Sequence, residues 1–392
     1  MTETIFSQAA RIFDGWTDPD TGVGVLRIWA KNLPRIPGMW GTYYHQYQCF
    51  LDGGRRVLLY GRPALTQGGR QHIYALDLTT GLANPFGPPD HQTIEVWDGT
   101  QMSVMLANEG GDDARAMLWD LRAEREVCGM TLPGWQFNSL NFLCDGRRAL
   151  AFYFQGKYYD ERAVSRHYLL EAGKEPRLVM EADGYYCSHI VGHPADPELY
   201  AYDRWPSPKR GVEQVTTVRT VDGSFEETVK LDDNAPRPVD MWGCRDHYVW
   251  TPDGNRIISY LNREPVDPSI PFNHFPFDWW LSALDWRTGE DYAAKYPPGR
   301  WGGHMQVSLD SRWIVNGGGP GFDKLYVVNI DELKHGWNEE IICSYPETNP
   351  EGKMCGFFPY PYMLPDGSGV LFCAGWFGPE HGIYLAEWPK GL

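Results

Sequence analysis

The chain has 392 residues, enough for two or three ordinary domains or for one large domain built from repeats. Its formal net charge of −16, with no basic run to offset it, argues against a surface for nucleic-acid phosphates. An apolar fraction of 42% with 22% charged residues predicts a folded chain with a substantial core. The 17 Trp, 22 Tyr, 17 Phe, 43 Gly and 30 Pro favour short strands separated by turns, and therefore an all-β protein.

The sequence carries no recognisable export or membrane signal. The first residues, from Met1 to Ile5, lack a basic stretch followed by an apolar one, and no run reaches the length of a membrane-spanning helix. The eight Cys are scattered without a CxxC pair, and several, such as Cys49 and Cys373, stand within apolar runs. These features predict a cytoplasmic protein with buried, reduced thiols and no membrane partner.

One short pattern recurs along the chain after an early predicted strand over residues 24–29. Each copy has an apolar run, a turn centred on Asp, and a second apolar run. The turns stand at Asp52-Gly53, Asp98-Gly99, Asp145-Gly146, Asp196-Pro197, Asp253-Gly254, Asp310-Ser311 and Asp366-Gly367. Gly after Asp accepts the positive φ that a tight hairpin requires, so most copies predict a β-hairpin.

The spacing of these hairpins predicts the fold. The seven turns are about 45 to 60 residues apart, which matches the four-stranded blades of a β-propeller. Most copies are followed by a further apolar run that predicts a third strand, at residues 72–78, 281–286, 325–330 and 382–388. We therefore predict an all-β fold, a single seven-bladed β-propeller over residues 1–392, in which strand 24–29 pairs with the last blade. Two stacked β-sandwiches are the alternative.

Polar side chains recur at one place in front of the turns. The residues six positions before each turn Asp are Gln46, Gln92, Ser139, Ile190, His247, His304 and Tyr360. His189 is the polar residue of the irregular fourth repeat, and His45 and His91 stand one position earlier in the first two. Because the innermost strand of a blade lines the channel, this row predicts a polar pocket at one mouth. Any single His is as readily explained by a structural role, whereas His189, His247 and His304 together favour a functional site.

Two further segments admit a functional and a structural interpretation. Arg204 and Arg210 flank a Pro-rich stretch after the fourth repeat, which predicts either a specificity loop or a solvated basic turn. The aromatic segment from Phe272 to Trp280 predicts either a sugar-stacking platform or a hydrophobic strand with its connector. The sequence contains no Gly-rich phosphate loop, GxSxG elbow or HExxH motif.

The repeats and their order resemble the oligogalacturonate lyase family. The resemblance runs along nearly the whole chain, and its most specific part is His247-Tyr248-Val249-Trp250-Thr251-Pro252-Asp253-Gly254. It also includes the strand from Tyr44 to Phe50, His304-Met305 and Pro359-Tyr360-Pro361. The resemblance implies a cytoplasmic seven-bladed propeller that splits uronate-containing oligosaccharides by β-elimination, and a small anionic oligosaccharide as the partner.

The resemblance carries over unevenly to individual residues. It implies that His189 and His247 face the substrate cleft and that His304 matches one of the family's metal ligands. The family's Arg base falls on Val215.

The family's remaining metal ligands are replaced in this chain. They come from a Gln-x-x-His-Pro-His-Pro motif, and the ligand positions here hold Cys355, Phe358 and Tyr360. His304 with Cys355 is a poor site for a hard divalent cation, which prefers oxygen ligands. The pattern therefore predicts no required cofactor, with a divalent metal as the open alternative.

β-Elimination beside a uronate carboxylate needs a base, an acid and a group that stabilises the developing charge. Because His and Tyr have pKa values near about 6.5 and about 10, the two residue types span these roles near neutral pH. We expect His189 or His247 as the base, Tyr360 or the other His as the acid, and Arg204 or Arg210 on the carboxylate. The expected substrate contacts also include His45, Gln46, His91 and His304. The alternatives are another sugar-processing activity and a non-catalytic propeller that binds glycans or serves as a protein scaffold.

Overall fold

The structure, a computed structural model, describes most of the chain and divides it into two compact units. The described residues are 3–33, 40–41, 46–61, 72–88, 91–107, 114–156, 162–206, 215–229, 244–262, 279–297, 300, 304–317, 324–345, 360–374 and 382–390. Unit 1 comprises Met1–Asp98, Pro297–Glu332 and Trp337–Leu392, and unit 2 comprises Gly99–Tyr296 and Leu333–Gly336.

The described residues form seven antiparallel sheets, here numbered I to VII. The chain opens with the five-residue helix α1 (Ile5–Ala9), whose N-cap Thr4 accepts a bond from the backbone N–H of Ser7. Short 3-10 helices lie at Asp52–Gly54 and Asp331–His335. No helix among the described residues is long and apolar enough to cross a membrane.

Sheets I to IV follow one another along the chain. Sheet I has the order β3-β5-β6-β7, with β4 paired to β5: β3 (Trp40–Gly41), β4 (Phe50–Leu51), β5 (Arg56–Gly61), β6 (His72–Asp77) and β7 (Ala83–Pro85). Sheet II contains β8 (His91–Trp97), β9 (Met102–Ala107), β10 (Arg115–Asp120) and β11 (Arg125–Thr131). Sheet III contains β12 (Gln136–Phe142), β13 (Arg148–Gln155), β14 (Val164–Glu171) and β15 (Arg177–Asp183). Sheet IV contains β16 (Tyr185–Gly192), β17 (Leu199–Pro206), β18 (Val215–Thr220) and β19 (Glu226–Thr228).

The last sheet joins the two ends of the chain. Sheet V contains β20 (Cys244–Trp250), β21 (Arg256–Asn262), β22 (Trp279–Asp285) and β23 (Asp291–Lys295). Sheet VI contains β24 (Gln306–Val307), β25 (Trp313–Gly317), β26 (Lys324–Asn329) and β27 (Glu339–Ser344). Sheet VII has the order β1-β2-β30-β29-β28: β1 (Gly15–Thr17), β2 (Gly24–Ile28), β28 (Tyr362–Met363), β29 (Gly369–Ala374) and β30 (Gly382–Glu387). The early strand β2 therefore pairs with the final strand β30, from Val25 opposite Ala386 to Ile28 opposite Ile383.

Apolar side chains fill the spaces between neighbouring sheets. Phe152 of sheet III and Tyr186 of sheet IV are in edge-to-face contact, with ring centroids 5.3 Å apart. Ala201 of sheet IV packs in one cluster with Tyr248 of sheet V, and in unit 1 a further cluster joins sheets VI and VII. Because these sheet faces are buried, any polar side chain on them needs a partner.

The Asp turns differ in which residue takes the left-handed conformation. At the fifth turn Gly254 has a φ of +71°, and a Cβ there would lie 2.3 Å from Cε1 of His193. At the sixth turn Ser311 takes this conformation, with a φ of 60°. At the second turn it falls to Gln101 (φ 58°), so the prediction that Gly99 supplies the positive φ was wrong.

Candidate active site

Two histidines predicted from the repeats, His189 and His247, lie in the first strands of two consecutive sheets, β16 and β20. The pairing register shifts within both strands at these positions. Each histidine has a φ of 50°, in the left-handed region that few residues other than glycine adopt. A bulge changes the direction of a side chain, and strained residues of this kind cluster at functional sites.

The bulges bring the two imidazoles together in unit 2. Their ring centroids are 5.0 Å apart with an angle of 44° between the planes. Nδ1 of His189 lies 3.0 Å from Oδ2 of Asp203, whose side chain is 0% exposed. The other carboxylate oxygen accepts a 2.9 Å bond from the hydroxyl of Thr216. Asp203 is thus held on both oxygens and fixes the orientation of the His189 ring.

His247 has a different partner. Its Nδ1 forms a short hydrogen bond with the hydroxyl of Tyr260, and the two rings stack with centroids 5.3 Å apart. The hydroxyl of Tyr248 donates to the backbone carbonyl of His189 and ties the two bulges together. One imidazole is therefore paired with a carboxylate and its neighbour with a phenol.

A second pair of predicted residues meets in unit 1. His304, 3% exposed, lies against Tyr360, with ring centroids 4.5 Å apart. Tyr360 also has a positive φ, 39°. Burial, with a smaller contribution from the nearby Cys373 thiol, raises the pKa of the Tyr360 phenol, so this side chain stays protonated at neutral pH.

The metal centre that the resemblance implies does not fit these residues. A neutral, buried phenol at Tyr360 is a poor ligand for a hard cation. Within the described part of the chain, no group of three or more His, Cys, Asp or Glu side chains is arranged to hold a metal ion. Cys355 and Phe358 lie outside the described residues.

Arg204 faces away from the histidine pair. It follows Asp203 in β17, and successive side chains of a strand point to opposite faces. Its guanidinium lies 3.8 Å from the centroid of the Tyr185 ring. The Cα of Arg204 is paired with that of Val215 on the neighbouring strand β18.

No described contact places the other predicted substrate-binding residues beside the histidine pair. Gln46 and His91 are half-buried in unit 1, the former just before β4 and the latter at the start of β8. His45 and Arg210 lie outside the described residues, as does most of the aromatic segment, residues 272–278.

Sequence reasoning missed Asp203 and Tyr260. Each follows its histidine by 14 or 13 residues, on the strand that returns from the turn. A signal existed for Asp203, because a carboxylate at the end of the apolar run 199–202 needs a buried partner. The similar sequence separation between histidine and partner in the two repeats was a second signal.

Comparisons with known proteins bear on the fold. No family model matches the sequence, and no curated protein matches it. Among solved structures, an oligogalacturonate lyase in complex with manganese is 18% identical, with 96% of each chain covered and a TM-score of 0.69. An oligogalacturonate lyase from Vibrio parahaemolyticus is 19% identical, over 96% of this chain and 97% of that one, with a TM-score of 0.69. The fold is a seven-bladed β-propeller, as the repeats predicted. Identities this low show the fold alone.

Proposed function

We propose that this protein is a lyase that cleaves a uronic-acid-containing oligosaccharide by β-elimination. The observation that carries the proposal is a pair of imidazoles 5.0 Å apart, one bonded to a buried carboxylate and the other to a phenol. The fold shared with two oligogalacturonate lyases supports the reaction class. The retained histidines favour an enzyme over a propeller that only binds glycans.

The reaction moves one proton off the substrate and one onto the leaving sugar. A base removes the proton α to the carboxylate, and the electron pair left behind forms the 4,5-double bond. The bond from C4 to the glycosidic oxygen breaks, and an acid protonates that oxygen. Because the two reacting positions are on adjacent carbons, imidazoles with centroids 5.0 Å apart are spaced to serve both.

His189 is the base in this proposal. When Nδ1–H of His189 donates to Asp203, the lone pair for proton abstraction is on Nε2. The buried carboxylate of Asp203 then stabilises the imidazolium that forms. The ring is held by the strained bulge and by the Tyr248 bond to its backbone, so little reorganisation is needed during reaction.

His247 is the acid. As the imidazolium, His247 donates its Nδ1–H to the Tyr260 hydroxyl oxygen and transfers its Nε2 proton to the leaving oxygen, which leaves a neutral imidazole. Tyr360, the other acid that the sequence predicts, lies in unit 1, and no described contact places it beside the histidine pair. The two assignments are separated by comparing His247→Ala with Tyr360→Phe.

The test is ultraviolet absorbance of the new double bond, with EDTA-treated protein and a panel of galacturonate, glucuronate and rhamnose-capped glucuronate oligosaccharides. The wild type is expected to produce the signal with one substrate class. His189→Ala should lower kcat about 10²- to 10⁴-fold, the usual contribution of a general base. His335→Ala, at an exposed position in a 3-10 helix, is the matched control and should leave kcat unchanged.

Two outcomes would contradict the proposal. One is the absence of a signal with every substrate, including after addition of Mn²⁺, Ca²⁺ or Zn²⁺. The other is full activity in His189→Ala on a substrate that the wild type cleaves.

A further inference from the structure

A groove opens between sheets III and IV, on the face of β17 opposite Asp203. Its volume is about 460 Å³, and it is lined by residues 178–183 and by Tyr185, Tyr202, Arg204, Arg219 and Glu226. All of these residues belong to unit 2. Pockets for small molecules typically measure roughly 300 to 1,000 Å³, so the groove has room for a compact ligand.

Arg204 is the unusual member of this lining. Its guanidinium stacks on Tyr185, but makes no hydrogen bond or ion pair with any residue that the structure describes. The Nε atom is buried and has no acceptor among the described residues, which is unfavourable for a charged donor. Carboxylates outnumber cations in this chain, 51 Asp and Glu against 35 Lys and Arg. A ligand that brings its own anion would satisfy Arg204.

The other arginine of the groove is already paired. Arg219 bonds to the Glu226 carboxylate and donates a 3.0 Å bond to the carbonyl of Val179, although its Nε, like that of Arg204, is buried without an acceptor among the described residues. Glu181 is likewise paired, with Arg166 on the neighbouring strand. The charge available to a ligand anion in the groove is therefore that of Arg204.

Two further groups could contact a ligand. The hydroxyl of Tyr202 makes no hydrogen bond within the described ranges, and burial raises the pKa of this phenol, so it remains a donor. The carboxylate of Asp183, at the exposed edge, has no ion pair with the described residues and can accept from a hydroxyl. Leu178 and Met180 add an apolar wall.

We infer that this groove binds a sugar acid, with its carboxylate on Arg204 and Tyr202 and a ring hydroxyl on Asp183. Guanidinium and carboxylate form two parallel hydrogen bonds, and a sugar ring presents both hydroxyls and an apolar face. The choice of a sugar acid rests on the proposed function, whose substrate carries the same groups. The site itself is distinct from the histidine pair, because Asp203 and Arg204 point to opposite faces of β17.

The experiment is isothermal titration of the full chain with D-galacturonate, and with D-galactose as the neutral counterpart. We expect binding to the wild type, at least tenfold weaker binding to Arg204→Gln, and at least tenfold weaker binding of galactose. Arg287→Gln is the matched control, because this guanidinium also stacks on an aromatic ring, 4.3 Å from the centroid of Trp286, outside the groove. It should bind like the wild type.

Two more variants locate the site. His247→Ala should keep the wild-type affinity, because the groove lies on the other face of the strand. Tyr202→Phe keeps the packed ring, removes one donor and should weaken binding several-fold, which tests the groove independently of how well Arg204→Gln folds.

The outcomes separate the groove from the lyase proposal. No binding by the wild type, or wild-type affinity in both Arg204→Gln and Tyr202→Phe, overturns the groove. So does binding that His247→Ala loses and Arg204→Gln keeps, since the sugar acid then belongs to the histidine pair. Elimination activity without groove binding overturns only the groove, whereas groove binding without any elimination leaves the groove standing and counts against the lyase.

Discussion

His167 makes the stability of unit 2 depend on pH. Its ring is 0% exposed, packed against aromatic rings between sheets III and IV, with Nε2 3.2 Å from the carbonyl of Cys187. Burial lowers the pKa of His167 from 6.5 to about 3. The folded state therefore does not take up the proton that the unfolded state binds near pH 6.5, and stability is lost as the pH falls from 6.5 towards 3.

The size of the effect follows from these two pKa values. Above pH 6.5 both states are neutral at His167, so the residue contributes no pH dependence. At pH 5, which is 1.5 units below the unfolded pKa, the penalty is about 2 kcal/mol at about 1.4 kcal/mol per pH unit. The penalty is removed by His167→Gln, whose amide is neutral at every pH and can still donate to the Cys187 carbonyl.

The assay is reversible urea unfolding of wild type and His167→Gln at pH 8 and pH 5. The wild type should lose about 2 kcal/mol more than the variant between the two values. His335→Gln removes an exposed histidine and should keep the wild-type pH response. If His167→Gln loses as much stability as the wild type between pH 8 and pH 5, the reasoning from burial is refuted.

Three further predictions concern the histidine pair and the turns. Asp203→Asn should lower kcat by about 10- to 150-fold, because a hydrogen bond to a charged group contributes about 1.5–3 kcal/mol. It should also move the acidic limb of the pH–rate profile. An unchanged profile would exclude Asp203 as the partner of His189. Tyr248→Phe should destabilise the fold by about 0.5–1.5 kcal/mol in urea unfolding, because the part-buried carbonyl of His189 loses a hydrogen-bond donor. No loss of stability would mean that this bond does not stabilise the fold. Gly254→Ala should lower the free energy of unfolding, measured by thermal unfolding, by at least about 1 kcal/mol more than Gly173→Ala. Both glycines have a positive φ, but only at Gly254 would the added Cβ contact a neighbouring side chain. Equal losses of stability in the two variants would contradict this.

The candidate site was predictable in part. Counting six positions back from each turn Asp identified His247, His304 and Tyr360, because a hairpin strand keeps its register with the turn that follows it. The same count reached Ile190 instead of His189 in the fourth repeat. Both His189 and His247 lie on bulges, and a bulge shifts the register by an amount that the residue pattern does not reveal.

The partners of the site residues depended on the packing. Asp203 and Arg204 are adjacent in the sequence, yet one bonds to His189 and the other stacks on Tyr185 in the groove. Strand alternation separates their side chains, but which face meets which neighbour follows from how sheets III, IV and V pack. The expectation of Arg204 beside the histidines therefore had no support from the sequence beyond proximity along the chain.

By itself the sequence determined the local elements: the Asp turns, the strands on either side of them and the repeat period that specifies seven sheets. These follow from short-range physics, because turn residues and apolar runs act within a few positions. Only the tertiary structure decided that His189 and His247, 58 residues apart, have rings 5.0 Å from each other, and that Arg204 lines a separate groove. Contacts between sheets depend on bulges and on which faces pack together, and neither is encoded by a local pattern of residue types.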